Sequence, residues 1–289
     1  MSERIFSVII VSHNRADRIV TAKTLQREGY TGRVIILIDD EDKSAAEYHK
    51  RYPGQVRVFS KREMVGTFDL GDNIQKRNTV TFARNAAWSI ARKEGLTHFL
   101  LLDDDYVDFR YKSDDNHQYI DNADIHDLDS LFQYTLDFLD SSNAICVAYS
   151  QGGDFMGGGA GNFAKSVRLS RKCMNTFFCR VDRPFTFMGR MNEDVNTYVR
   201  NAICGKLMFT INMLAVNQTQ TQANAGGLTD MYLQFGTYVK SMFTVMYAPS
   251  CCKVTEMGTS HRRLHHKISW RHCAPKIVSE SLRKSRSDA

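Results

Sequence analysis

The run Phe99-Leu100-Leu101-Leu102-Asp103-Asp104-Asp105 decides how this chain is read. Four consecutive apolar residues suit a strand buried on both faces, as in a parallel sheet covered by helices. Three carboxylates then stop it abruptly. Ligands of open α/β sheets gather at the carboxyl ends of central strands, so these acids stand where a site belongs. Carboxylates two apart on an extended chain can share a divalent ion, and hard oxygen donors favour Mg2+ or Mn2+, which in turn bridge phosphate oxygens. The competing reading is an ordinary solvated strand end; position after a buried strand favours the metal.

Upstream of that run, strand-like and helix-like stretches alternate. Val8-Ile9-Ile10-Val11 is a short apolar run, followed by the polar turn Ser12-His13-Asn14-Arg15 and a helical stretch that Gly29 would stop. Residues 33–38 read as a second strand closed by Asp39-Asp40-Glu41-Asp42, residues 44–52 as a short helix and 55–59 as a third strand. Consecutive βα units imply parallel strands. From Thr79 to Glu94, Ala83, Ala86, Ala87, Ile90 and Ala91 fall at helical spacing, a small-residue face suited to close packing on a sheet. Downstream, Leu128, Leu131, Phe132, Leu136 and Leu139 mark an amphipathic helix and residues 144–149 another buried strand. A glycine-rich stretch spans 151–162. Asn192 is placed to cap a helix beginning Glu193-Asp194, with Val195, Val199 and Ile203 inward, and residues 207–216 read as a strand. Residues 217–227 read as a polar loop and 228–240 as a helix. The expected architecture is a mostly parallel sheet flanked by helices, over residues 1–260, with a basic extension at 261–289.

Charge is unevenly spread. The net charge of +6 is supplied by residues 261–289, which hold eight Lys and Arg against two acids. Residues 101–142 hold twelve acids against two basic residues, and residues 165–200 hold eight basic residues against three acids. One region is suited to cations and two to anions. No stretch approaches the roughly 18 apolar residues of a membrane span, the start leaves no room for a signal peptide, and seven Cys without a CxxC pair read as reduced thiols. The expectation is a soluble, cytoplasmic protein.

A helix carrying Arg84-Asn85-Ala86-Ala87, then Gly95, then the apolar strand and Asp103 to Asp105, resembles the core of GT-A fold glycosyltransferases. The opening residues 8–15, with Thr24-Leu25, Gly29-Tyr30 and residues 35–40, resemble a narrower group, the TET/JBP-associated glycosyltransferases, which add sugars to hydroxymethylated pyrimidines in phage DNA and in base J synthesis. The resemblance implies a UDP-sugar donor and Mn2+ or Mg2+ held by Asp103 and Asp105. It implies donor contacts from Ser12, Arg15, Asp39, Asp40, Arg77, Arg84, Asp103 and Asp104. Glu193-Asp194 is similar to the acid pair that many inverting members place at a helix start, which makes Asp194 the base and Glu193 a support or an acceptor contact; the plainer reading is that both acids only complement the helix N-terminus. Inversion and retention both stay open. Many members complete the metal site with a late His, for which His265 is one candidate among His261, His265, His266 and His272; the plainer and favoured reading of these His is a basic solvated tail that contacts phosphate.

Lys165, Arg168, Arg171, Lys172, Arg180, Arg183 and Arg190 form a basic segment interleaved with Phe163, Phe177, Phe178, Phe185 and Phe187, and Arg262 and Arg263 add to the basic extension. Such a pattern suits phosphate neutralisation and base stacking, or else the Phe are simply core. The leading expectation is transfer of a sugar to 5-hydroxymethylcytosine or 5-hydroxymethyluracil in DNA, in a phage-infected host. The alternatives are a transferase acting on a glycan or protein, or a non-catalytic nucleotide-sugar or DNA-binding module.

Overall fold

The computed structural model describes residues 3–155, 166–219, 236, 238–257 and 263–284. A ten-stranded sheet forms the centre, in the order β3-β2-β1-β4-β9-β7-β10-β5-β6, with β8 also on β10. The strands are β1 Phe6–Val11, β2 Val34–Asp39, β3 Val56–Phe59, β4 His98–Asp103, β5 Tyr106–Ser113, β6 Tyr119–Asp124, β7 Cys146–Gln151, β8 Val167–Arg168, β9 Phe177–Arg180 and β10 Met208–Gln218. Strands β1 to β4 pair in parallel, and β7 pairs in parallel with β10, while β9, β8 and β5 run against them. The sheet is thus parallel in its main direction, as the GT-A resemblance implies.

Strand alternation divides the core into two layers. On one face Ile9, Val11, Phe99 and Leu101 pack against α4 (Thr81–Lys93) and α6 (Glu193–Ile203), where Ala86, Ala87 and Ala91 are fully buried. On the other face Val8, Ile10, Leu100 and Leu102 meet α1 (Val20–Arg27), α2 (Ala45–Arg51) and α5 (Leu128–Ser141). Neighbouring residues of a strand point to opposite faces, so the acids that end β4 inherit the same division. Asp103 goes to the α4 and α6 side and Asp104 to the α1 side.

Several sequence expectations change. Of the two readings of the Phe in the basic segment, core holds for Phe177, Phe178, Phe185 and Phe187, all at most 5% exposed. The first two lie on β9, inserted between β4 and β7, while Phe185 packs on Trp88 of α4 and on Phe187; Phe163 lies outside the described residues. Strand β5 was not legible, since its Asp, Arg and Lys interrupt any apolar run. A separate two-stranded sheet pairs β11 (Cys252–Met257) antiparallel with β12 (Arg263–Ile268). Asn192 precedes α6 but does not cap it: its backbone is left-handed (φ 53°), and its side-chain amide donates to Lys240 O and Thr244 Oγ1. Ile203 is exposed rather than inward. Residues 228–235 and 237, most of the expected 228–240 helix, lie outside the described residues, as do 156–162 of the glycine-rich stretch and 220–227; a described helix, α7, runs Val239–Tyr247.

Residues 264–284 pack onto the sheet domain. Trp270 stacks on Tyr198 of α6, Cys273 is fully buried in the main core, and Ser279 N donates to Gly205 O at 2.8 Å. Gly205 (φ 75°) permits that approach, because a Cβ there would lie 2.4 Å from Ile277 O.

At the amino end of the sheet, Asp140 on α5 accepts from His98, Arg4 and Arg180 at 2.9, 2.6 and 2.5 Å. Burial opposes its ionisation, but these donors outweigh it and hold the carboxyl down at about 2. A depressed carboxylate stabilises the fold above its unfolded value near 3.8 and loses that contribution as pH falls towards 2. Asp140→Asn is expected to cost about 1 kcal/mol at pH 7, after allowance for solvent screening, and to flatten stability between pH 4 and 2. Urea melts across that range are the check.

Candidate active site

The carboxyl ends of β1, β2 and β4 carry the polar residues singled out in the sequence. Asp103 ends β4 and is held from one side by Arg84 of α4, whose Nη2 lies 3.1 and 3.0 Å from its two oxygens. The same guanidinium donates through Nη1 to Glu193 Oε1 at 2.7 Å. The rings of Phe177 and Phe187 flank it, with centroids 5.1 and 5.6 Å away. Asp103 and Glu193, ninety residues apart in the chain, are thus joined by one buried cation. Tyr106, fully buried, donates its hydroxyl to Asn175 O at 2.5 Å close beneath Asp103.

Asp104 points the other way and is consumed by structure. Its Oδ2 accepts from Ser12 Oγ at 2.5 Å, its Oδ1 from Arg15 Nη1 at 3.0 Å, and its carbonyl from Val20 N and Thr21 N at the start of α1. Ser12 Oγ also lies 2.7 Å from Tyr48 OH. Burial pushes the Asp104 carboxyl up, with Arg15 and Ser12 opposing. Ser12, Arg15 and Asp104, three of the expected donor contacts, therefore form a knot that fixes the β1–α1 loop.

Asp105 is half-buried and its carboxyl is pushed up to about 6 by burial and by the neighbouring Asp103 and Asp104 charges. Thr219, at the end of β10, reaches it with Oγ1 at 3.3 Å. A cleft of about 310 Å3 opens here, lined by Asp104, Asp105 and Thr219 together with Arg15, Arg18 and Lys23.

At the end of β2, Asp39 accepts from His13 Nδ1 at 2.6 Å and pairs with the buried Lys61 Nζ at 2.9 Å. Burial works against ionisation, and His13 and Lys61 overcome it to hold the carboxyl below the usual range. Asp40 is exposed and accepts from Lys61 N at 3.0 Å, whereas Arg77 pairs with Glu41 on the same rim. Sequence reasoning missed Lys61, which opens the short helix α3 (Lys61–Met64); its only signal was a position just past β3.

Glu193 and Asp194 open α6. Glu193 is buried, and burial pushes its carboxyl up while Arg84 opposes. Asp194 is half-buried and accepts from Val195 N at 2.7 Å. Behind them, Asn192 Nδ2 lies 3.2 Å from Nδ1 of His266. His266 is buried, with its ring pushed down to about 3 by burial and by the neighbouring His265. Alternation along β12 turns His266 inward and leaves the expected ligand His265 half-buried beside it, ring centroids 4.2 Å apart. Among the described residues no three His, Cys, Asp or Glu side chains gather as a metal-binding set, so Asp103, Asp105 and His265 are not preassembled.

The expected DNA contacts are scattered. Arg168 is exposed, with Nε 2.7 Å from Ser166 Oγ; Arg171 is paired with Asp154; Lys172 is half-buried. Further along, Arg180, Arg183 and Arg190 are all committed to internal partners. Lys165 and Arg262 lie outside the described residues, and Arg263 belongs to β12.

No helix of the described residues is long and apolar enough to cross a membrane. A comparison with curated protein sequences finds no match. Among solved structures, glucosyl-3-phosphoglycerate synthase from Mycobacterium tuberculosis, in complex with Mn2+, UDP and phosphoglyceric acid, superposes with a TM-score of 0.49 at 10% identity, covering 98% of this chain and 92% of that one. A mannosyltransferase from Pyrobaculum calidifontis, in complex with GDP-Man and Mn2+, gives 0.47 at 11% identity over 86% and 75%. TarS of S. aureus gives 0.45 at 13% over 82% and 39%. The sequence itself matches the family described as TET-Associated Glycosyltransferase over residues 6–227, a span that takes in the β1 loop, the Asp103 to Asp105 cluster and α6, and the chain therefore belongs to that family.

Proposed function

We propose that this glycosyltransferase moves a sugar from a UDP-sugar onto the hydroxymethyl group of 5-hydroxymethylcytosine or 5-hydroxymethyluracil in DNA, with Mn2+ or Mg2+ as its cation. The observation that carries the reading is the carboxylate cluster at the end of β4 in a chain of this family. The donor set fits a hard cation: Asp103, Asp105, Glu193 and Asp194 stand against the guanidinium of Arg84, which leaves the site net negative and rich in oxygen. Asp103 and Asp105 would hold the ion. When bound, the ion supplies charge stabilisation for the departing diphosphate.

In this reading the chain's own groups do the rest. Asp39 and Asp40 receive the donor's nucleoside at the end of β2, with Arg77 on the same rim, and the knot of Ser12, Arg15 and Asp104 keeps the loop beneath it in shape. Asp194 takes the proton from the acceptor hydroxyl as that oxygen attacks the anomeric carbon. Glu193, fixed by Arg84, holds the start of α6 in register. The hydroxymethyl group of such a base already projects into the major groove, so the base need not leave the duplex. Arg168 and Lys172 supply phosphate contacts. With phage DNA as the acceptor, the enzyme works in the cytoplasm of the infected host.

UDP release in the presence of Mn2+ is the first test. It should rise when DNA carrying hydroxymethylated pyrimidines is added and stay at background with unmodified DNA. Equal release with both DNAs rejects this acceptor, and salt should suppress the stimulation, because phosphate contact weakens as ionic strength rises.

A further inference from the structure

Arg84 is 3% exposed and walled by two Phe rings. A cation at this depth is kept there by its carboxylates. Its two grips differ. The grip on Glu193 is a single 2.7 Å bond to a carboxylate with 9% of its side chain exposed. The grip on Asp103 is one nitrogen shared between two oxygens at 3.0 and 3.1 Å, on a carboxylate that is 28% exposed. Asp103 is therefore the more loosely held partner and the one open to the site. A divalent cation seeking an Asp103 oxygen meets a guanidinium on the same carboxylate, and like charges in a low-dielectric surround repel strongly.

We propose that Arg84 is a positioning residue that competes with the cation for Asp103 and shifts towards Glu193, its firmer anchor, when the cation binds. This rests on the reading that Asp103 and Asp105 hold the ion. Metal loading then concentrates the guanidinium charge on Glu193, beside Asp194. Donor-side binding is thereby coupled to the acid pair of α6, and the coupling runs equally in both directions.

Binding of Mn2+ alone to the protein, followed by electron paramagnetic resonance, separates the two ideas. Wild-type binding that disappears in Asp105→Ala supports the metal reading; absence of wild-type binding overturns that reading and this proposal with it. Arg84→Gln removes the competing charge and should bind Mn2+ about tenfold more tightly, even as sugar transfer falls. Arg84→Lys keeps the charge without the fork and should stay within about threefold of wild type. Unchanged or weaker Mn2+ binding in Arg84→Gln overturns the proposal, since Arg84 would then only build the site. Should that variant not fold, the wild-type guanidinium resonance of Arg84, assigned by its loss in Arg84→Lys, gives the answer. It should move on Mg2+ addition and saturate with metal binding; a resonance that does not move overturns the proposal.

Discussion

Asp105→Asn is expected to abolish sugar transfer and, at the same time, to raise the melting temperature of the metal-free protein. Transfer falls because one of the two carboxylates proposed to hold the cation is gone. Several kcal/mol of leaving-group stabilisation go with it, or about 10³-fold in kcat. Stability rises because the folded protein strains this group: burial and the Asp103 and Asp104 charges push its carboxyl up to about 6. A carboxyl raised above its unfolded value near 3.8 binds more protons folded than unfolded, so its ionised form penalises the fold above pH 6 and the penalty fades as pH falls below that. The shift corresponds to about 1–2 kcal/mol after discounting for partial exposure, which is a few degrees in a domain of this size. Thermal melts should separate variant from wild type at pH 7 and converge near pH 4. A variant that is inactive but no more stable at pH 7 would show that the cluster is relaxed and that the acids serve another purpose.

The second large effect concerns the start of α6. Asp194→Asn should lower kcat by about 10² to 10⁴, the usual range for losing a general base, while the KM for the donor changes little. If Asp194 merely complemented the helix dipole, the same substitution would cost up to about 1 kcal/mol of stability and leave kcat near wild type. Asparagine keeps the acceptor oxygen for Val195 N, so the helix start should survive. Steady-state kinetics alongside a melting curve decide between the two roles.

Much of this site was legible in the sequence because local rules coincide there. A buried apolar run with acids at its end both defines β4 and delivers Asp103, and the small-residue face of 83–91 delivers α4 with Arg84. The parallel half of the sheet, β1 to β4, follows from the same periodicity. What stayed hidden depends on contacts made across the fold. Strand alternation sends Asp104 away from Asp103, but its partners Ser12 and Arg15 lie some ninety residues earlier, so its structural role emerges only on folding. The Arg84 bridge to Glu193 needs α4 and α6 side by side on one face of the sheet. Phe177 and Phe178, two of the Phe that looked available for stacking on bases, are core because β9 threads between β4 and β7, a topology that no residue pattern announces. The His265-His266 doublet has no strand signature, and only the register of β11 with β12 shows that His266 is the inward one.

The most direct measurement is nucleoside mass spectrometry after incubating the protein with UDP-sugars, Mn2+ and DNA containing cytosine, 5-hydroxymethylcytosine or 5-hydroxymethyluracil. A glycosylated nucleoside should appear from one of the hydroxymethylated DNAs, and it should vanish in Asp105→Asn. A sugar adduct that is independent of Asp105, or no adduct on either hydroxymethylated DNA with any UDP-sugar, would contradict the account.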